Sequence, residues 1–252
     1  MILNIGHRGV GHQFIENSLL SFERAIQSRL DMIEMDIQLS NDHEVIVFHD
    51  ENLVRLTSLN VQVAEMTLKA LKQLHLYDQR SVSTSYGQIP TLKEVFSLTK
   101  NKIALNIEFK NCYDKNHLLV KKTVELINEF NMGSQVVLSS FNREILELIH
   151  YEDNSLRCGY ILDEKDDIRE IFPISFNLYS IHPHKNIVKR KLVRFAHERS
   201  IKLFPWTVNS TQEMKKLISD GVDGIITDYP HKLSNTKINS EISQMNQKIN
   251  LI

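Results

Sequence analysis

Cysteine is scarce in this sequence of 252 residues, which contains only Cys112 and Cys158. Two cysteines so far apart cannot supply the disulfide framework of a small secreted domain or the ligands of a zinc cluster. We therefore expect a protein of the reducing cytoplasm. The N-terminus supports this expectation, because it lacks the basic and apolar regions of a signal peptide.

The sequence also has no excess of either charge, because it contains 30 basic and 31 acidic residues. A net charge of -1 provides no positive field to attract a nucleic acid backbone, so we expect no nucleic acid partner. No apolar run approaches the roughly 18 residues that a membrane-spanning helix needs. The sequence therefore predicts no membrane span.

The composition is that of a folded globular protein, with 42% hydrophobic and 24% charged residues. A chain of this length can be buried around one hydrophobic core, so we expect a single domain over residues 1–230. Residues 231–252 form a polar C-terminal tail. Apolar residues recur in this tail at steps of four and three, which is typical of a narrow stripe on a helix. Such a stripe would pack on the barrel, on a second subunit of a homo-oligomer or, less favourably, on a lipid surface.

Short apolar runs alternate with segments of helical period along the whole chain. Eight runs have the length of strands, namely 2–5, 32–39, 103–107, 136–139, 157–162, 174–181, 201–206 and 222–226. Helix starts are predicted at Asn17, Thr91 and Ser210, the last two as capping boxes. Repeated strand and helix units imply parallel pairing. Eight units in about 250 residues favour a (β/α)8 TIM barrel, and an open doubly wound sheet is the alternative.

Residues 51–88 interrupt this alternation after the second strand. A short capped helix is predicted there, beginning at Thr67 and extending to Leu74. Long loops at this end of a barrel carry function, so we expect a small insertion that forms a lid or a pocket wall.

Polar residues gather where several of the predicted strands end, which is where a TIM barrel carries its active site. They are His7, Arg8, Glu34, Asp36, His49, Glu108, Lys110 and Trp206. Taken singly, each has a structural explanation: a histidine can be hydrogen-bonded, paired charges can be solvated, and a tryptophan can pack. Inside a barrel, however, charges are costly unless they have partners.

Glu34, Asp36 and Glu108 are candidate metal ligands. Three carboxylates on adjacent strands would repel one another strongly, and a divalent cation would relieve that repulsion. Ligation by oxygen alone favours a hard ion, either Mg²⁺ or Ca²⁺.

His7 and His49 are candidate catalytic groups for general acid and base catalysis beside this acidic site. Arg8 and Lys110 would neutralise an anionic substrate, and we expect Trp206 to contact it as well. Two proton-transfer groups, two cations and a metal site together fit the cleavage of a phosphodiester. The residues alone do not decide which histidine is the base.

The same residues belong to short motifs that resemble those of the glycerophosphodiester phosphodiesterase family, from Gly6 to Pro230. The motifs occupy 7–9, 16–18, 34–36, 49–50, 88–94, 108–110, 139–141, 206–209 and 221–230. The resemblance implies a (β/α)8 barrel that hydrolyses glycerophosphodiesters to sn-glycerol 3-phosphate and an alcohol with a divalent metal. It also implies that Glu34, Asp36 and Glu108 are the metal ligands and that Lys110 lies on the substrate side. One departure is the lack of glycine between Gly11 and Gly87, which indicates an insertion of different shape.

Three functions remain in competition at this stage. The first is hydrolysis of head-group diesters such as glycerophosphocholine or glycerophosphoethanolamine. The second is a lysophospholipase D-like reaction, for which Leu68, Leu71, Leu74 and Leu76 of the insertion would line an apolar groove. The third is a non-catalytic phosphate-binding barrel, which has no need of an acid and base pair.

Overall fold

The computed structural model of the chain describes residues 2–77, 87–166 and 174–236. The strands in these ranges are β1 Leu3–Gly6, β2 Met32–Leu39, β3 Val45–Val47, β4 Ala104–Phe109, β5 Val136–Ser140, β6 Cys158–Leu162, β7 Ser180–Pro183, β8 Lys202–Leu203 and β9 Gly224–Thr227. The α-helices are α1 Leu19–Gln27, α2 Val54–Thr57, α3 Leu68–Leu71, α4 Leu92–Thr99, α5 Asn116–Phe130, α6 Arg143–Glu152, α7 Arg190–His197 and α8 Thr211–Asp220.

Eight of these strands form a nearly closed parallel barrel. They are hydrogen-bonded in the order β8-β7-β6-β5-β4-β2-β1-β9, and β3 pairs antiparallel with β2 outside this path. Backbone hydrogen bonds also cross the gap between β9 and the β8 region, for example from Ile226 N to Pro205 O at 3.0 Å. The predicted (β/α)8 TIM barrel is therefore confirmed, and the open-sheet alternative is wrong.

The predicted strand at 174–181 is wrong in its extent, because only Ser180–Pro183 forms β7. The apolar residues before it pack as a loop on the hydrophobic core. Phe176, for example, stacks on His150 of α6 with ring centroids 4.6 Å apart. The burial of Phe176 thus reflects packing against a helix and not strand pairing.

The helix starts also differ in part from the prediction. Ser18, and not Asn17, caps α1, because its hydroxyl accepts a hydrogen bond from the backbone N–H of Ser21. Thr91 forms the predicted capping box at α4. Ser210 precedes α8 but makes no side-chain capping hydrogen bond, so that capping box is wrong. Thr67 caps α3, which is shorter than predicted.

The insertion packs on Ile15, Ile46, Phe48 and Ile89 in a second hydrophobic cluster, separate from the core between the barrel and its helices. Leu71 and Leu76 are buried in this second cluster, and Leu68 and Leu74 pack against it. Leu71 and Leu76 are therefore not available to line the predicted apolar groove, whereas Leu68 and Leu74 are only partly buried.

The chain leaves the barrel through a helical segment at 230–236. Leu233 in this segment is fully buried, and Asn4 Nδ2 donates hydrogen bonds to Pro230 O at 2.9 Å and Ser234 Oγ at 3.0 Å. The predicted apolar stripe of Ile238, Ile242, Met245, Ile249 and Ile252 lies outside the described residues. Among the helices in the described ranges, none combines the length and apolar character needed to cross a bilayer.

Candidate functional site

The three predicted metal ligands meet inside the barrel, near the C-terminal ends of two adjacent strands. Asp36 of β2 is in register with Glu108 of β4, and Glu34 lies two residues earlier on the same face of β2. One carboxylate oxygen from each residue lies within 4.8 Å of the others. The structure thus brings these side chains together as the sequence predicted.

The charges around these carboxylates are unevenly distributed. Burial opposes ionisation of Asp36, but Lys110 Nζ at 2.8 Å and Arg8 Nε at 3.3 Å hold its pKa well below the usual range. Glu34 differs, because burial and the neighbouring Asp36 and Glu108 raise its pKa well above the ordinary value. The protein's own cations therefore do not fully offset the three carboxylates. A buried set of oxygen donors with this excess negative charge fits a hard divalent cation.

Strand β1 ends in a sharp turn that places His7 and Arg8 beside the carboxylates. Arg8 has a φ of 53° and Gly9 a φ of 92°, values in the left-handed region that favours glycine. A Cβ atom at Gly9 would lie 2.3 Å from Ser21 Oγ, so only glycine fits this turn. The backbone N–H of Arg8 then donates to Glu34 Oε2 at 2.9 Å.

His7 is held by an aspartate on the opposite side from the carboxylates. Its Nδ1 lies 2.6 Å from Asp228 Oδ1, and Asn209 Nδ2 donates to Asp228 Oδ2 at 2.7 Å. Burial opposes ionisation of Asp228, but the hydrogen bond from His7 contributes to lowering its pKa to about 2. An ionised Asp228 favours the proton on Nδ1 of His7, which leaves Nε2 available as a proton acceptor 3.9 Å from Glu34.

His49 has the same arrangement after β3. Its Nδ1 lies 2.6 Å from Asp50 Oδ1, and Arg55 Nε donates to Asp50 Oδ2 at 2.5 Å. Burial opposes ionisation of Asp50, but His49 and Arg55 outweigh it and hold the pKa of Asp50 below its usual range. Both predicted histidines are thus fixed through Nδ1 by a carboxylate.

Glu16 joins the insertion to the barrel and was missing from the predicted site. Arg55 donates two hydrogen bonds to it, at 2.9 and 2.6 Å, and Arg8 Nη1 donates at 2.6 Å. Asn17 also reaches the site, since its Nδ2 donates to Asp36 Oδ2 at 2.8 Å. The motif at 16–18 was the available sequence signal for both residues, but their partners lie too far along the chain to be inferred from spacing.

The site opens into a cavity of about 140 Å³. Trp206 lines this cavity, and its ring packs edge-to-face against the ring of Phe141 at a centroid distance of 5.6 Å. The lining includes most of the predicted site residues, namely His7, Arg8, Glu34, His49, Glu108, Lys110 and Trp206. A second cavity of about 360 Å³ adjoins the first at His7 and Arg8 and is also lined by His12, Glu16 and Tyr229.

A protein family, two relatives and one solved structure each match this chain over most of its length. The chain matches the Glycerophosphoryl diester phosphodiesterase family over residues 7–232. It is 34% identical over 236 residues to a glycerophosphodiester phosphodiesterase from Caldanaerobacter subterraneus, which covers 92% of this chain and 96% of that protein. It is 30% identical over 268 residues to a human lysophospholipase D, covering 91% of this chain and 84% of that protein. The solved structure of an Oleispira antarctica phosphodiesterase in complex with the product sn-glycerol-3-phosphate has a TM-score of 0.86 at 26% identity, covering 92% and 95% of the two chains.

Proposed function

The chain belongs to the glycerophosphoryl diester phosphodiesterase family, and we propose that it hydrolyses glycerophosphodiesters to sn-glycerol 3-phosphate and an alcohol in a reaction that requires one divalent cation. The observation that carries this proposal is the cluster of Glu34, Asp36 and Glu108. Two histidines, each held through Nδ1 by an aspartate, flank this cluster.

Glu34, Asp36 and Glu108 would hold the cation, either Mg²⁺ or Ca²⁺. When bound, such an ion supplies charge neutralisation for the phosphate oxygens. Arg8 and Lys110 line the same cavity and stay protonated, because their carboxylate partners outweigh the effect of burial and raise the pKa of each above its usual range. These two side chains bind and orient the phosphate.

His7 and His49 move the protons. The aspartate on each Nδ1 leaves Nε2 as the atom that exchanges a proton with substrate. One histidine removes the proton from the attacking hydroxyl group, and the other delivers a proton to the leaving alcohol oxygen. The attacking hydroxyl belongs either to water or to the substrate's own glycerol. In the second case the alcohol leaves and a cyclic phosphate forms, which water then opens to sn-glycerol 3-phosphate. A deoxy substrate that is cleaved at the normal rate would rule out the cyclic route.

Two adjoining cavities support a diester substrate, because they meet at His7 and Arg8. The cavity of about 140 Å³, which holds Glu34 and Glu108, would take the glycerophosphate part, and the second cavity of about 360 Å³ would take the alcohol. His12, Glu16 and Asp228 make the lining of the second cavity polar. This polarity favours a small polar head group, such as choline or ethanolamine, over an acyl chain.

A lysophospholipase D-like activity is the second candidate, and the similarity to the human enzyme of that name favours it. Turnover of glycerophosphocholine and of a lysophosphatidylcholine, each with and without EDTA, separates the two activities. We expect faster turnover of glycerophosphocholine and its loss on chelation. Turnover of neither substrate would indicate a non-catalytic phosphate-binding barrel.

His7→Ala and His49→Ala test the proton transfers, and each should lower kcat at least ~10²-fold. His197→Ala is the matched control, because His197 also pairs with an aspartate, Asp223, at 3.0 Å but does not line either cavity. This control should keep normal turnover. A normal rate in either His7→Ala or His49→Ala would remove that histidine from the mechanism.

The cellular setting is part of the same proposal. We propose that the protein acts in the reducing cytoplasm, where Cys112 and Cys158 stay as free thiols. The balanced charge of the sequence gives no reason to propose a nucleic acid partner. Size-exclusion chromatography with light scattering would test whether the chain forms a homo-oligomer.

A further inference from the structure

Several polar side chains inside the barrel have no hydrogen-bond partner for one of their atoms among the described residues. Three of them are uncharged or carry a neutral ring: Asn106 lacks a partner at Oδ1, Ser139 at Oγ and His182 at Nδ1. Each of the three is at most 1% exposed. Buried polar atoms are normally satisfied, so a buried polar atom without a protein partner marks a position where a water molecule or a ligand can bind.

Asn106 and His182 line the same cavity as Glu34 and Glu108. Strand register explains their positions, since Asn106 of β4 is in register with Glu34 of β2, and His182 of β7 is in register with Ile161 of β6. The two side chains therefore belong to the inner lining of the barrel, next to the carboxylates.

A glycine on the neighbouring strand makes room for the His182 ring. A Cβ atom at Gly159 would lie 2.8 Å from His182 Nε2 and 2.8 Å from Ser180 Oγ. The Nε2 atom and the Ser180 hydroxyl are themselves hydrogen-bonded at 2.8 Å. This contact holds the ring through one nitrogen and leaves Nδ1 for another partner.

The lining formed by Asn106 and His182 is uncharged. Burial lowers the pKa of His182 to about 3, so its ring is neutral at physiological pH. Arg8 and Lys110 in the same cavity are cations. One part of the cavity thus suits an anion, and another suits a neutral group that both donates and accepts hydrogen bonds.

We propose that Asn106 and His182 bind the hydroxyl groups of the substrate's glycerol moiety and thereby select glycerol phosphates over other phosphate esters. This inference rests on the proposed function. A glycerol hydroxyl donates to the Asn106 carbonyl oxygen, and a second hydroxyl pairs with His182 Nδ1. A site built to hydrogen-bond a hydroxyl discriminates against an analogue without it, because its own buried polar atoms are then left unpaired.

The test compares the binding of sn-glycerol 3-phosphate, propyl phosphate and inorganic phosphate by isothermal titration calorimetry. Measurements with Mg²⁺ present and after chelation separate any contribution of the cation to hydroxyl binding. In both conditions the unmodified protein should bind sn-glycerol 3-phosphate at least about tenfold more tightly than propyl phosphate. Asn106→Leu and His182→Phe should each weaken sn-glycerol 3-phosphate binding about tenfold and leave phosphate binding unchanged.

Thr123→Val is the matched control. Thr123 Oγ1 is also buried without a partner among the described residues, but Thr123 lies on α5 and does not line the cavity. Removal of this hydroxyl should leave all three affinities unchanged.

Several results would overturn the proposal. Equal binding of propyl phosphate and sn-glycerol 3-phosphate by the unmodified protein would do so, even if the variants failed to fold. Unchanged binding by both folded variants, or an equal loss for phosphate, would do so as well. Hydrolysis of glycerophosphodiesters without this selectivity would leave the proposed function standing. Selective binding without hydrolysis would leave only the hydroxyl site.

Discussion

The ion pairs between Arg55 and Glu16 allow a quantitative prediction, because they join the insertion to the barrel. Burial works against ionisation of Glu16, but Arg55 and Arg8 together lower its pKa from 4.5 to about 2. A pKa shift of that size corresponds to about 3 kcal/mol in the free energy of unfolding. Arg55 supplies two of the hydrogen bonds to Glu16, so its share is about 2 kcal/mol. Arg55→Met keeps the length of the side chain and removes this share, together with the hydrogen bond from Arg55 to Asp50.

The pH dependence has a defined sign. The folded-state pKa of Glu16 lies below its unfolded value, so the stabilisation is fully present above pH 4.5 and is lost as the pH falls towards 2. Urea unfolding of the unmodified protein should show this loss. Arg55→Met should be less stable by about 2 kcal/mol at pH 7, and its stability should fall less steeply between pH 4.5 and 2.

Arg190→Met is the control, because Arg190 pairs with Asp220 at 3.1 Å while its side chain is 77% exposed. Removal of such an exposed pair should cost less than about 1 kcal/mol. The reasoning would be refuted if Arg55→Met were as stable as Arg190→Met at pH 7, or if its stability kept the pH dependence of the unmodified protein.

Three further predictions concern separate parts of the molecule. Glu34→Gln should weaken Mg²⁺ or Ca²⁺ binding at least ~10-fold in a calorimetric titration, and an unchanged affinity would show that this carboxylate is not a ligand. Burial raises the pKa of the Cys158 thiol to about 12, so this thiol should react with a disulfide reagent at pH 8 only as fast as the protein unfolds. Ending the chain after Pro230 should lower Tm by several degrees, because the buried Leu233 is lost. Ending it after Thr236 should lower Tm or change the mass in solution if the predicted apolar stripe packs on protein, and no change in either would show that the stripe is coincidental.

The barrel and the positions of the charged groups could be predicted from local patterns. Strict alternation along β2 placed Glu34 and Asp36 on one face, and the barrel interior then brought Glu108 to them. This inference worked because the alternation of side chains along a strand is visible in a short segment, and because the order of such segments along the chain gave the order of the barrel strands.

The contacts that orient the site could not be predicted in the same way. Asp228 holds His7 from 221 residues away, and Arg55 reaches Glu16 across 39 residues. The hydrophobic periodicity of the sequence does not indicate such contacts, because each contact depends on how the loops at the strand ends fold over one another. The predicted strand at 174–181 failed for a related reason, because burial against a helix produces the same apolar alternation as burial in a sheet.

The separate hydrophobic cluster of the insertion bears on how this enzyme family can diversify. Leu53, Leu56, Val63 and Leu71 belong to that cluster, and none of them belongs to the core between the barrel and its helices. Substitutions at these four residues can therefore change the insertion without repacking the core between the barrel and its helices, provided that Arg55 still reaches Glu16. The apolar residues of the insertion can thus accumulate mutations independently of the core that positions the three carboxylates.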